Sequence, residues 1–591
     1  MRATYTAIIS LVLMSAPLLA DDSCSKGGVT VGFSLELPEG QEDLRELLTS
    51  VSRLQEKKGS CLNSLARLDA NLEADVEMFG RVLRSEGYYG ASVDSRVENV
   101  GERANLLIVV RPGTRYTIDA VSTTFKNEGE DQPMDGVTAP LAKGAAARSE
   151  DILAAEYRVL TSLGDKGFPF ALADERQVVV DHALKTAAVH YNIDTGPEVD
   201  FGSVAYDGAE RTEESYLSRL IPWPEGGLVR KAHMDEFRSR LQGTGLFRSV
   251  SVTVKQDDVS DGTVPVAVEL KETPPRRIEL GAGYSTGEGF DVEASWTNKN
   301  AWGRGENLKF STIIGETEQT VSASLRKPHF RRFGQSSILR SRFGREDTPA
   351  YNAHLFEAFA GIERRFNNKL VGSIGLTGKA TQVREDGERD EFVLLGVPLG
   401  IGFDTSNSLL DPRRGVRVHF RVQPNVSLIN DSFIFVTNEL KASGYWQFKG
   451  LDNVVFAART RIGATLGPTN ERIPLPERFF AGGGGSVRGF PYQALGALDD
   501  DGDPIGGRSV AEVAFETRLR VSETISLVPF VDGGAVYDDT FPEFGSFRWG
   551  TGLGVRYHTS IAPVRLDVAF PLGRREGESA VAIYLSIGQS F

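Results

Sequence analysis

The segment SAVAIYLSIGQSF, Ser579 to Phe591, decides how the chain is read. Side chains alternate across an extended strand, so Val581, Ile583, Leu585 and Ile587 fall on one face and Ala582, Tyr584, Ser586 and Gly588 on the other. Soluble sandwiches also alternate. An apolar outside over a small or polar inside, however, is the pattern of a barrel in lipid, where only a closed sheet satisfies every backbone group. The same period runs back through GVRVHFRVQP, TVSASLRKP, ENLKFSTIIG and RRIELGAGYS. The 315 residues from Arg277 to Phe591 hold about sixteen strands at roughly ten residues each plus turns. The aromatic Phe591 fits an outer-membrane strand that must be recognised and sealed.

Upstream the grammar changes. From residue 27 to about 275, short apolar strands alternate with amphipathic helices in a weak threefold repeat anchored at Gly87, Gly167 and Gly245. Before Gly87, the residues Leu72, Val76, Phe79, Val82 and Leu83 lie on one helix face. In the second unit Ser149 is the expected N-cap before Ile152, Val159, Leu160 and Leu163; in the third, Phe237 and Leu241 share a face. Each glycine suits the left-handed position that ends a helix, so each unit reads helix, stop, strand, strand. The expected layout is α+β plus all-β: residues 1–20 a signal segment, three tandem α/β modules at 21–114, 115–198 and 199–275, and an antiparallel transmembrane β-barrel at 276–591.

The first twenty residues carry Arg2, an apolar stretch and a small Ala20, as a cleaved secretory signal does. Later stretches are too short to span a bilayer as a helix. Cys24 and Cys61 are the only two cysteines. In an exported chain they form a disulfide, with two free thiols as the alternative. A net charge of −14 argues against nucleic acid as a partner, and the scattered histidines offer no metal-ligand spacing. No cofactor is called for.

Three motifs are decoys. GYSTG, Gly283 to Gly287, matches the esterase elbow, which needs a strand-to-helix turn; here it enters a hairpin, so Ser285 is not read as a nucleophile. GLTGKA, from Gly375, lacks the spacing and hydroxyl of a phosphate loop, and DDDGDP, from Asp499, has its glycine misplaced for calcium.

One late stretch remains, FFAGGGGSVRGFPYQALG, Phe479 to Gly496. With NKNAWGRGE (Asn298 to Glu306), DTSNSLLDPRRG (Asp404 to Gly415), PFVDGGAVYD (Pro529 to Asp538) and APVRLDVAFPL (Ala562 to Leu572), it gives the chain its resemblance. Three modules and a barrel with these motifs resemble the BamA/TamA superfamily of outer-membrane insertases, and the modules resemble its polypeptide-transport-associated (POTRA) domains. The module count and the RFFAGG lead-in point to the TamA branch, with BamA-like general assembly factors still open.

The resemblance implies that the loop motif Val487, Arg488, Gly489 and Phe490 folds into the barrel. Arg488 would meet Asp532 of the partner motif Phe530, Asp532, Gly534, and Gly482, Gly483, Gly484 and Gly485 would let the loop turn where side chains clash. It also implies a weak seam joining Arg277 to Ser285 with Val581 to Phe591, in which Ile587, Gly588 and Phe591 carry the C-terminal signal. The implied activity is non-covalent: insertion of unfolded outer-membrane proteins, autotransporters among them, into outer-membrane lipid, with the modules in the periplasm docking a TamB-like inner-membrane-anchored partner. The rival readings are a two-partner secretion pore, a passive channel or a lipid-transport component.

Overall fold

A computed structural model describes residues 29–587 apart from 63–64, 99–102, 128–129, 132–133, 287, 386–387, 430–431, 449, 560–562 and 576–577. The signal segment, Cys24, the Cys61 side chain, Gly588 and Phe591 lie outside the described residues.

The three glycines end helices as their positions require. The helix Leu65–Ser85 buries Leu72, Phe79 and Leu83 against Leu106 and Ile108 of the strand Arg103–Arg111. It stops because Gly87 takes φ +87°, which lets the Gly87 amide bond the Arg84 carbonyl at 3.0 Å and the Tyr88 amide bond the Leu83 carbonyl at 2.8 Å. These two bonds satisfy carbonyls that the helix would otherwise leave open. In the second unit the helix Ser149–Gly164 is followed by Gly167 at φ +101°, and in the third Lys231–Gly243 is followed by Gly245 at φ +67°.

Ser149 is not the N-cap. The capping position is Arg148, which makes no side-chain cap bond. The preceding backbone is already fixed by the Ala147 amide bonding the Tyr116 carbonyl at 2.9 Å, and the Arg148 guanidinium is held by Glu86 at 3.1 Å. These contacts start the helix one residue earlier than the hydroxyl alone predicts.

Each unit carries its own small sheet. In the first, Val29–Glu36 pairs in parallel with Arg103–Arg111, which pairs antiparallel with Ser92–Glu98. The second repeats this with Thr117–Asn127 parallel to Thr186–Asp194 and Gln177–Asp181 antiparallel beside it. The third sheet runs in the order Asp200–Asp207, Thr263–Glu272, Phe247–Val254. By contacts the chain forms two compact units, one of which holds residues 205–222 and 236–252 together with everything from Ala267 onward.

The barrel is closed and antiparallel, with sixteen strands among the described residues. They are β1 (Arg276–Ser285), β2 (Gly289–Asn298), β3 (Asn307–Gly315), β4 (Glu318–Lys327), β5 (Gln335–Asp347), β6 (Asn352–Arg365) and β7 (Leu370–Glu385). β8 runs from Glu388 to Asp404, broken at Val397 and Pro398. There follow β9 (Gly415–Ser427), β10 (Ile434–Trp446), β11 (Val454–Leu466), β12 (Ser509–Arg520), β13 (Ile525–Tyr537), β14 (Arg548–Tyr557), β15 (Val564–Leu572) and β16 (Ala582–Ile587). Both halves of β8 pair with β7 and with β9, so it is one strand interrupted where proline has no amide to donate.

The period-two pattern has its expected consequence. Leu280, Val321, Leu339, Leu376, Leu395 and Leu566 face outward and are exposed, while Thr320, Thr377, Asn425, Glu512 and Asp567 face inward and are buried. On β16 the inward Ala582 and Tyr584 are buried and the outward Ile583, Leu585 and Ile587 exposed. A charge on the outer face must therefore be expensive. Leu376→Arg is expected to destabilise the barrel by about 2–4 kcal/mol in denaturant unfolding from lipid vesicles, as for a cation near the bilayer midplane.

Candidate functional site

Strand β1 pairs with β2 along its whole length, from Arg276 to Ser285. On its other side it meets β16 at only Tyr284↔Leu585 and Ser285↔Tyr584 among the described residues. The Thr286 amide adds one bond to the Ile583 carbonyl at 3.1 Å. Of the expected joint of Arg277 to Ser285 with Val581 to Phe591, the part that would involve residues 588–591 lies outside the described residues. The register would set Gly283 opposite Ser586, yet no described pair forms there. Two glycines in β1, Gly281 and Gly283, leave the strand poor in cross-strand side-chain contacts at the point where pairing stops.

The segment 467–508 joins β11 to β12 at the barrel end opposite β1's first residue, and it does not remain outside. Phe479, Ala481, Val487, Phe490 and Leu495 are buried with Val510 in one apolar cluster. Glu477 reaches Lys379 of β7 at 2.5 Å, so the segment crosses the lumen.

At its inner end Arg488 is 2% exposed, and its guanidinium is surrounded by acceptors. Nε and Nη2 donate to the two carboxylate oxygens of Asp532 at 2.6 and 2.8 Å, a bidentate fork, and the Arg488 amide donates to Asp532 Oδ2 at 3.1 Å. Nη1 donates to Glu516 Oε1 and to Asp567 Oδ2, each at 2.9 Å. The guanidinium carbon sits 3.5 Å from the centre of the Phe530 ring, adding a cation–π contact. The structure thus brings Arg488 to both Phe530 and Asp532. It places Gly534 under Val487, where a Cβ would come within 2.9 Å of Val487 Cγ2.

Three strands supply the carboxylates: Glu516 from β12, Asp532 from β13 and Asp567 from β15. β14 passes between them and contributes no acceptor to Arg488. It contributes room, since a Cβ on Gly550 would lie 2.0 Å from the Arg488 carbonyl oxygen. Asp567 is further held by Arg556 and by Arg565 Nε at 2.7 Å, and Glu516 by Arg518 Nε at 3.1 Å. These further charges were missed by pairing Arg488 with Asp532 alone. The period-two alternation contained the signal: Glu512, Glu516 and Arg518 share the inward face of β12, as Arg565 and Asp567 share that of β15.

The glycine run is used unevenly. Gly482 and Gly483 take φ +109° and +97°, and a Cβ on Gly484 would lie 2.7 Å from the Tyr584 ring. Gly485 does not fit the clash expectation, because a Cβ there meets nothing within 4 Å. Its carbonyl instead accepts from Arg459 Nη1 at 2.7 Å.

At the opposite mouth, within the barrel's compact unit, the NKNAWGRGE turn holds residues of the third module. Arg304 Nε donates to Glu213 Oε2 at 2.7 Å, the Glu213 amide donates to the Gly303 carbonyl at 2.7 Å, and Arg240 lies 4.1 Å over the Phe333 ring. The Arg304 hydrogen bond holds the Glu213 carboxyl below its ordinary value. Of the decoys, Ser285 donates to Glu288 Oε2 at 2.9 Å and accepts from the Glu288 amide at 3.0 Å, so its hydroxyl is engaged by a carboxylate in a turn.

A closed barrel with an apolar outer face, an arginine-tipped loop inside it and small βαββ-type units before it defines a class of outer-membrane protein. Residues 300–591 match the Omp85 superfamily domain, and residues 199–273 match POTRA, described as a surface antigen variable number repeat. The chain belongs to the Omp85 superfamily, and it is an outer-membrane protein with its POTRA-like modules in the periplasm.

Among curated relatives it is similar to "Outer membrane protein assembly factor BamA" of Nitratidesulfovibrio vulgaris, 23% identical over 88% of this chain and 68% of the relative. The protein of the same name from Neisseria meningitidis is 20% identical over 88% of this chain and 72% of the relative. Among solved structures, BamA from Haemophilus ducreyi lacking POTRA domains 1–3 aligns with TM-score 0.68 at 19% identity, over 80% of this chain and all of that one. That likeness concerns the fold.

Two expectations follow. Arg488→Ala takes from buried Asp532 its bidentate arginine and from Glu516 and Asp567 one of their cations, and should destabilise the barrel by about 3–5 kcal/mol in denaturant unfolding. Made in an Asp532→Asn background, the same change should cost clearly less, and strictly additive effects would refute the pairing. At the other mouth, a carboxyl held low stabilises the folded state above its unfolded value near 4.5, and that contribution is lost as pH falls through the lower folded value. Amide exchange at Glu213, corrected for intrinsic rate, should therefore lose protection below about pH 4.5, whereas Glu213→Gln should show no such pH step.

Proposed function

We propose that this chain inserts and folds other outer-membrane proteins by opening its barrel between β1 and β16. The observation that carries the reading is the seam: Ala282 and Gly283 of β1 are paired with β2 on one side, while on the other Ile587 and Ser586, the β16 residues that the register sets opposite them, form no pair with them. An unpaired edge is a template for another strand, because backbone hydrogen bonds form whatever the incoming sequence. The relatives' printed name, outer membrane protein assembly factor, supports the same reading.

The work is non-covalent. An unfolded substrate gains its first barrel hydrogen bonds along β1, next to lipid and out of water, where an unmet backbone group is most costly. Autotransporters are among the fitting substrates. Within the superfamily we place the chain in the TamA branch, on its three modules and the RFFAGG lead-in, with a TamB-like inner-membrane-anchored protein as the partner docked by the modules. A large anchored protein recovered on native purification supports that placement; lipoprotein partners place it instead with the general assembly factors.

The passive-pore reading is weaker, because the segment 467–508 and its Arg488 network occupy the lumen. Lipid vesicles containing the protein should speed the folding of an urea-unfolded barrel substrate. A disulfide lock through Tyr284→Cys and Leu585→Cys, which face each other across the seam, should abolish the acceleration until reduced. Ion conductance with no acceleration would overturn the insertase in favour of the pore.

A further inference from the structure

The loop and the seam share one side chain. Tyr584 stands opposite Ser285 in the short β1–β16 ladder, and its side chain turns into the lumen, where the residue is 4% exposed. Its hydroxyl accepts a hydrogen bond from the Gly489 amide at 3.1 Å. Gly489 directly follows Arg488.

The Tyr584 ring also covers Gly484, with Cδ1 2.7 Å from where a Cβ would stand, so the ring packs on bare backbone. Arg565 Nη2, on β15, donates to the Gly484 carbonyl at 3.4 Å. Across the seam, Glu288 is held by Ser285 and directs Oε1 to within 3.7 Å of the Cβ position of Gly483. Gly483 and Gly484 therefore lie over the lumenal side of the seam, one beside the turn after β1 and the next beneath a side chain of β16.

We propose that Tyr584 is a positioning residue that makes the docked arginine loop and the seam one cooperative element. The loop holds β16 against β1, and withdrawal of the loop frees that end of β16. Among the described residues the ladder is two pairs long with the Thr286–Ile583 bonds beside it, so the Tyr584 contacts are a large share of what fixes this end of β16. Arg488, by contrast, is fixed by charged bonds to β12, β13 and β15, so the loop is the rigid body and β16 the strand leaning on it. This inference rests on the insertase reading for its purpose, while the coupling itself is a property of the barrel without substrate.

The test is amide hydrogen exchange of the full chain in lipid nanodiscs with no substrate present. Tyr584→Phe keeps the ring and removes the hydroxyl. Loss of one hydrogen bond from a local opening equilibrium should raise exchange at Thr286 and Ile583, the seam amides, by roughly three- to tenfold, with β6 and β7 unchanged.

The reciprocal change is Arg488→Lys, which loosens the loop without touching the seam and should raise exchange at the same two amides. If that variant does not fold, Gly484→Ala, which pushes the Tyr584 ring aside, gives the same reading. Faster exchange at Gly489 alone, with Thr286 and Ile583 unmoved, overturns the coupling. Coupled exchange in a protein that fails to accelerate substrate folding would leave the coupling standing and overturn only the insertase reading.

Discussion

The buried guanidinium of Arg488 is the constraint from which the rest of the barrel's interior follows. A cation taken that far from water is tolerable only with anions at hydrogen-bond distance, and Asp532, Glu516 and Asp567 meet it from three strands. Those carboxylates are themselves buried and need further cations, which Arg556, Arg565 and Arg518 provide. One wall of the lumen, from β12 to β15, is thereby bound through charge to a single loop residue. Gly550 on β14 is what lets the loop backbone come that close. The apolar clusters inside the barrel are small, Phe530 with Ala569, Ala582 and Tyr584 being one, and the charge network helps define the shape on that side.

The opposite constraint operates at the seam. β1 pairs with β2 along its whole length, but among the described residues β1 and β16 pair at only two positions near the end of β1. The weak joint lies one strand beyond the strongly bound wall, since Asp567 is on β15 and Tyr584 on β16. Rigidity and release are thus adjacent. A wall held by charge can keep its form while its last strand moves, and that division suits a machine that must admit a new strand without unfolding.

Much of the fold was legible because each half of the chain obeys one period. The inward and outward faces of β16 follow from the alternation of Ala582 to Ile587, and the helix ends follow from Gly87, Gly167 and Gly245, where only a left-handed residue fits. The start of the second module's helix was misread at Ser149, because capping by a hydroxyl is a local rule and the contacts of Ala147 and Arg148 are tertiary. In the site, Arg488 and Asp532 came from a motif resemblance. Glu516 and Asp567 did not, because they join the arginine from other strands, and register across a barrel is not written in any one segment. Alternation also says which way a seam side chain faces, as for Tyr584 and Leu585, but not how far the neighbouring strand pairs.

The central claim is that this barrel is charge-locked on one side and able to part between β1 and β16. Spin labels on cysteines placed at Tyr284 and Leu585, outward-facing partners across the seam, report that directly as a distance distribution in nanodiscs. The account predicts one short distance in the resting protein and a second, longer population when an unfolded barrel substrate is added. A single short distance that the substrate leaves unchanged, in a preparation that still accelerates substrate folding, would contradict it.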